Sequence, residues 1–197
     1  MIGGFSATSI QTDSSGRDLV ANKTTLSAVA LLPPKSGGEL SVLDGFTLVG
    51  NSSLFNTSLV QSGSAHTLRF NKTNLNGLIL TYAPVNLEGQ SVRFNLEFNS
   101  CNVTGGTGVA WDIKLSGNLS LTDCTFSGNG GFSVLNASMS SPSQVYIKGS
   151  NFTDDILENY YMMEFPGTAH VTFEKSTLKG GIIEKVSVDP AFLTVIP

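Results

Sequence analysis

The side chains able to make or break bonds are few and scattered. Two cysteines (Cys101, Cys124), two histidines (His66, His170) and one adjacent acid pair (Asp154-Asp155) stand out. Paired carboxylates run acid–base cleavage of glycosidic bonds. Thiols with imidazoles make zinc sites. No histidine lies near either cysteine, and Asp154-Asp155 is the only adjacent acidic pair. Trp111, Tyr160 and Tyr161 are candidate platforms for stacking sugars. The chain has no glycine-rich phosphate loop, Walker motif or dinucleotide fingerprint. Its only arginines are Arg17, Arg69 and Arg93, which argues against a phosphate clamp.

Composition narrows the field further. Only 13 % of the 197 residues are charged, against roughly 25 % in an average soluble protein. Serine (25) and threonine (18) supply the polarity instead. A net charge of −4 and a pI near 5.0 exclude nucleic-acid binding through bulk charge. At 40 % apolar residues and a mean hydropathy of +0.12 the chain is too hydrophobic to be disordered. No apolar run approaches the ~18 residues of a membrane span. The opening Met1-Ile-Gly-Gly-Phe-Ser has neither a basic nor an apolar leader region, so no secretory signal is expected. Two cysteines cannot form a disulfide scaffold.

The elements that hold these candidates come from a repeat. Five segments share one frame: Leu68-Arg-Phe-Asn-Lys-Thr-Asn-Leu75-Asn-Gly77, Leu96-Glu-Phe-Asn-Ser-Cys-Asn-Val103-Thr-Gly105, Leu119-Ser-Leu-Thr-Asp-Cys-Thr-Phe126-Ser-Gly128, Val145-Tyr-Ile-Lys-Gly-Ser-Asn-Phe152-Thr-Asp154 and Val171-Thr-Phe-Glu-Lys-Ser-Thr-Leu178-Lys-Gly180. Their starts recur at intervals of some two dozen residues. A looser sixth copy is read from Phe46-Thr-Leu48, followed by Leu54 and Asn56. The opening apolar-polar-apolar triplet has period 2 and is a strand with one buried face. Two polar residues then make a bend. A small-x-apolar run is a second short strand, closed by Gly or Asp. The stretches Val109–Leu115, Phe132–Val134 and Ile182–Val188 alternate as well and supply a third, returning strand.

Over residues ~40–181, about three quarters of the chain, this grammar resembles the right-handed parallel β-helix superfamily. The resemblance implies an all-β fold of about six coils with three short strands each. No copy can bury its apolar face alone, whereas stacked copies bury a continuous core. At about 4.8 Å per coil, six coils make a rod about 29 Å tall. Three internal ladders are expected: Leu68, Leu96, Leu119, Val145, Val171; then Phe70, Phe98, Leu121, Ile147, Phe173; then Leu75, Val103, Phe126, Phe152, Leu178. Thr73, Cys101, Cys124, Ser150 and Ser176 form a fourth column of small side chains at the tight bend.

That register decides what the candidates can do. Cys101 and Cys124 fall in neighbouring coils, with Cβ atoms about 4.8 Å apart rather than the ~3.8 Å of a relaxed disulfide. Buried reduced thiols are the favoured reading over a bond or a metal site. His66 and His170 lie four coils apart, a separation of about 19 Å, so they cannot act together within one chain. β-Helix polygalacturonases carry an acid pair, but with a Gly-His-Gly-type and an Arg-Ile-Lys-type segment that this chain lacks. Lyases of the same fold use Arg or Lys bases with Ca²⁺-binding acids, and no Arg lies beyond residue 93. Asp154-Asp155 is therefore read as a turn. Trp111 alternates with Val109 and Ile113 and is read as core, while one residue of each pair in Tyr160-Tyr161-Met162-Met163 faces outward.

Residues 1–39 lack the frame and are read as an N-terminal cap or a docking arm, with a helix-tolerant stretch from Arg17 to Leu32 before the Pro33-Pro34 loop. Residues 40–181 are the β-helix, and 182–197 an apolar C-terminal cap or tail that packs on the last coil or on a neighbouring chain. Eight Asn-x-Ser/Thr sequons occur, at Asn22, Asn51, Asn56, Asn71, Asn102, Asn118, Asn136 and Asn151. With 15 asparagines, chance gives 15 × 43/197, about 3. Either glycosylation or the repeat explains the excess. The repeat is favoured, because Asn102 and Asn151 share a column and threonine follows two positions later.

No catalytic, cofactor-binding or metal-ligating residue is assigned, and the chain is not expected to be an enzyme. It resembles structural proteins of tailed phages and similar viruses: capsid decoration proteins and spikes. The resemblance implies a homotrimer in the virion that grips a major capsid or other virion protein through one end, with no nucleic acid and no membrane partner. The alternative is an extracellular β-helix that binds or degrades a surface glycan. An ice-binding solenoid needs a flat outward Thr-x-Thr array, and the returning segments are too irregular to supply one.

Overall fold

A computed structural model describes residues 24–27, 40–50, 66–77, 80–82, 94–104, 111–115, 117–127, 132–136, 144–153, 163–164, 169–179 and 186–197. Apart from one 3₁₀ turn at Pro190–Phe192, the regular elements among them are β-strands. They form three parallel sheets.

The first sheet has seven strands: β2 (Leu40–Asp44), β4 (His66–Asn71), β7 (Phe94–Asn99), β10 (Leu119–Thr122), β13 (Gln144–Lys148), β16 (His170–Glu174) and β19 (Leu193–Ile196). The second also has seven: β1 (Thr24–Ser27), β3 (Phe46–Val49), β5 (Asn74–Asn76), β8 (Asn102–Thr104), β11 (Thr125–Ser127), β14 (Asn151–Thr153) and β17 (Thr177–Leu178). The third has five: β6 (Leu80–Tyr82), β9 (Trp111–Leu115), β12 (Phe132–Asn136), β15 (Met163–Glu164) and β18 (Val186–Ser187). The spatial order in each sheet is the order along the chain, so each repeat pairs with the repeat before and the repeat after.

The three apolar ladders stand as the spacing requires. Leu68 pairs with Leu96, Leu96 with Leu119, Leu119 with Val145, and Val145 with Val171. The Phe70 and Leu75 ladders run in the same register. All fifteen side chains are buried in one hydrophobic cluster. The reason is the period-2 pattern: alternate residues of a strand point to opposite faces, so the apolar ones converge.

The bend between the first and second sheets is built the same way in six copies. One residue takes a left-handed backbone: Gly45, Lys72, Ser100, Asp123, Gly149 and Lys175, with φ between 46° and 76°. Each donates its backbone N–H to the carbonyl of the next repeat, as in Lys72 to Asn99 (2.9 Å) and Ser100 to Thr122 (2.8 Å). The parallel hydrogen-bond ladder therefore continues around the corner instead of breaking there.

Two expectations need correction. Phe46-Thr-Leu48 is not the opening strand of the sixth copy. Phe46–Val49 lies in the second sheet, with Leu48 on Leu75. The opening strand is Leu40–Asp44, with Leu43 on Phe70 and Ser41 on Leu68. Gly45, at φ 76°, is the corner, which places Phe46 where other copies carry Thr73 or Cys101. Leu54 and Asn56 lie outside the described residues. Within the stretch read as helix-tolerant, Thr24–Ser27 is a strand whose Leu26 pairs with Leu48. Ladder pairing outweighs local helix propensity there. The second sheet thus begins before residue 40, and the tail adds to the first sheet, with Leu193 on Val171 and Val195 on Phe173.

Candidate functional site: the outward faces

Small side chains line the inside of the corner. Thr73, Cys101, Cys124 and Ser150 are buried and Ser176 is half-buried. Each donates to the carbonyl two residues earlier: Thr73 to Asn71 (2.9 Å), Cys101 to Asn99 (3.5 Å), Cys124 to Thr122 (3.3 Å), Ser150 to Lys148 (3.0 Å) and Ser176 to Glu174 (3.0 Å). Cys101, Cys124 and Ser176 also reach the carbonyl of the preceding repeat, at Phe70 (3.4 Å), Phe98 (3.4 Å) and Ile147 (3.2 Å). Both cysteines are free thiols. A hydrogen bond with Cys124, and then burial, push the Cys101 thiol far above its ordinary value. A buried neutral thiol is a poor nucleophile and a poor ligand. Among the described residues no group of three or more His, Cys, Asp and Glu could hold a metal ion.

The histidines are far apart, as expected. His66 is in β4 and His170 in β16, with β7, β10 and β13 between them. His170 is exposed, and its ring meets the Phe192 ring edge-on at 4.9 Å. Trp111 lies in β9, its backbone paired with Leu80 and Phe132. Asp154, Asp155, Tyr160 and Tyr161 lie outside the described residues. Of the sequon asparagines, Asn102, Asn118 and Asn151 are exposed, and Asn71 accepts from the Asn99 amide at 3.0 Å.

The outward face of the first sheet carries charge. Arg69 pairs with Glu97 at 2.5 Å. Glu174 accepts from the Tyr146 hydroxyl and pairs with Lys148 at 2.9 Å. The Tyr146 hydrogen bond, and then Lys148, hold the Glu174 carboxyl below its ordinary value. The same carboxylate raises the Tyr146 phenol and the Lys148 ammonium. No sequence motif announces this cluster. Tyr146 and Glu174 are 28 residues apart and become neighbours only once β13 and β16 are in register. Asparagines extend the face: Asn95 donates to Thr67 (3.3 Å) and accepts from the Asn118 backbone (3.0 Å).

The second sheet's outward face is different. One file of side chains runs Thr25, Thr47, Asn74, Asn102, Thr125, Asn151, Thr177. A second runs Val49, Asn76, Thr104, Ser127, Thr153. None of these residues is charged, and all but Val49 carry a hydroxyl or an amide. The exposed Lys179, its backbone N–H on the Phe152 carbonyl (3.0 Å), follows Thr153 and puts one positive charge at the end of the second file. Lateral bonds hold them in place: Asn74 donates to Thr47 (3.4 Å), Thr177 to Asn151 (2.6 Å) and Thr153 to the Phe126 carbonyl (3.4 Å). A regular outward array, not expected from the irregular returning segments, is thus present on the second strand of each repeat.

No family model, curated protein or solved structure matches the chain. No helix among the described residues is long and apolar enough to cross a membrane.

Proposed function

We propose that the three sheets are the walls of a right-handed parallel β-helix of about six coils, and that the protein is a non-enzymatic structural element of a virion. In this reading it is a capsid decoration or spike protein of a tailed phage or similar virus. It trimerises, and one end of the rod binds a major capsid or other virion protein. The observation that carries the reading is the unbroken residue-for-residue register of the three apolar ladders from Leu68 to Leu178. A stack of identical couplings is stiff, and its stability grows with the number of repeats. That suits a load-bearing part better than a site that must move. Mass photometry of the isolated chain tests the trimer. A species near three times the 20.8 kDa chain mass is expected, and a monomer at micromolar concentration counts against it.

A second reading is a glycan-binding β-helix at a cell surface. The outward face of the second sheet favours it, being regular, rich in hydroxyls and amides, and charged among its described residues only at Lys179.

A further inference from the structure

The two outward files of the second sheet differ from the charged outward face of the first in combining regularity with near-neutrality, Lys179 in the last row being their one charge among the described residues. Their rows repeat at about 4.8 Å along the stack, and the two residues of a row stand about 6.6 Å apart. The face is therefore about 29 Å long and about 7 Å wide, roughly 200–300 Å². A stable protein partner covers about 800 Å² per side, so the face is too narrow for a second copy or another globular chain. It fits a single extended polymer. Among the described residues of the face the only charge is Lys179, in the last row beside Thr177. A single terminal cation does not hold an anionic polymer, since nucleic acids and acidic polysaccharides are gripped by several Lys and Arg. Each asparagine amide offers two donors and an acceptor, and each threonine hydroxyl both donates and accepts. Such pairs match vicinal sugar hydroxyls, and an extended β-linked hexose chain advances by nearly the same step per sugar as the strands do per repeat.

We propose that this face binds a neutral, linear β-linked polysaccharide lying along the stack, one sugar to each strand, with Asn102, Thr125 and Asn151 at the centre of the contact. The inference rests on the glycan-binding reading. Its failure leaves the ladder and the oligomer untouched, because those are read by separate measurements.

Affinity electrophoresis and calorimetry of the full chain test it, with mixed-linkage β-glucan, glucomannan and hydroxyethyl cellulose as probes and polygalacturonate as the acidic control. At least one neutral polymer is expected to bind and polygalacturonate is not. Affinity is expected to tighten with oligosaccharide length up to the seven rows of the face. Thr125→Glu is expected to weaken binding at least about tenfold, a loss of about 1.4 kcal/mol or more, with an unchanged Tm. Ser120→Lys, on the first sheet, is expected to leave binding as it was. No binding to any neutral probe, binding to polygalacturonate alone, indifference to Thr125→Glu, or shaping of ice crystals as the face's only activity would each overturn the proposal.

Discussion

The rings of Phe70 and Phe98 lie 4.7 Å apart and within 1° of parallel. Phe126 and Phe152 repeat the arrangement at 4.5 Å and 10°. Isolated aromatic pairs prefer offset or edge-to-face packing. Here the spacing is that of parallel strands, so backbone pairing dictates ring geometry. The stack is mutually dependent, since each ring is a wall of its neighbours' sites. Truncating Phe98 to alanine removes one ring and leaves a void between Phe70 and Leu121. A loss of about 3–5 kcal/mol is expected in urea unfolding. Phe126→Asp is worse, because it buries an unpaired charge. A Tm unchanged by Phe126→Asp would place that side chain outside the core.

Serine is the residue that Cys101 and Cys124 replace in later repeats, and it makes the same corner bonds. Cys101→Ser is therefore expected to cost less than about 1 kcal/mol. Cys101→Val fills the space but leaves the Phe70 and Asn99 carbonyls without its thiol donor, at about 1–3 kcal/mol. Denaturant melts of the two variants check the difference. Equal losses would show that volume, not hydrogen bonding, governs the column. The native thiols should also resist a thiol reagent until the protein unfolds.

Gly149 sits at φ +57°, and a Cβ built there would meet the Asp123 carboxylate oxygen at 2.2 Å. Gly149→Ala is expected to destabilise by about 1–2 kcal/mol from the left-handed backbone alone, with the clash added. Lys72 holds a similar φ of 46° with a full side chain. Lys72→Gly relieves that backbone cost and should be neutral or stabilising. Thermal melts showing Gly149→Ala to be harmless would remove the corner as a shared geometry of the repeat.

The charged cluster on the first sheet has a defined pH signature. Glu174 has a lowered pKa in the fold, so its contribution is present above the ordinary value of 4.5 and is lost as pH falls through the depressed one. Tyr146 and Lys148 have raised values. Their contributions are present below the ordinary 10.0 and 10.5 and fade as pH rises through the raised values. In Glu174→Gln the phenol of Tyr146 should titrate closer to its ordinary value by ultraviolet difference spectroscopy. An unchanged Tyr146 titration would show that the carboxylate does not govern it.

The ladders are legible in the chain because period-2 triplets recur at nearly constant spacing and end in a polar pair that must turn. The misplaced sixth copy shows the limit of that reading. Ser41-Val-Leu43 lacks an apolar residue at the Leu68 position, whereas Phe46-Thr-Leu48 imitates the opening triplet. Gly45 is the better signal, being two residues beyond Leu43 as Lys72 is two beyond Phe70. Thr24–Ser27 is hidden by its helix-tolerant neighbours, although Asn22-Lys23-Thr24-Thr25-Leu26 follows the same order as Asn71-Lys72-Thr73-Asn74-Leu75. The regular outward face forms no motif within any one repeat: each second strand gives it only the residues on either side of one buried side chain, and register alone lines them up. Its members flank the buried Leu75, Val103, Phe126 and Phe152, so the residues that identify the core also locate the face.

The central claim is that repeats some two dozen residues apart lie directly over one another at strand spacing. Spin labels on outward positions of the second sheet test it most directly, in a Cys101→Ser/Cys124→Ser background. Electron–electron distances between labelled pairs should grow in equal steps of about 4.8 Å per repeat. Asn74 and Thr177 are four strands apart, which predicts a separation of about 19 Å. Thr47 and Thr177 are five strands apart, which predicts about 24 Å. Distances that fail to grow with the number of intervening repeats, or that shorten for the more distant pair, would contradict the stacked parallel architecture.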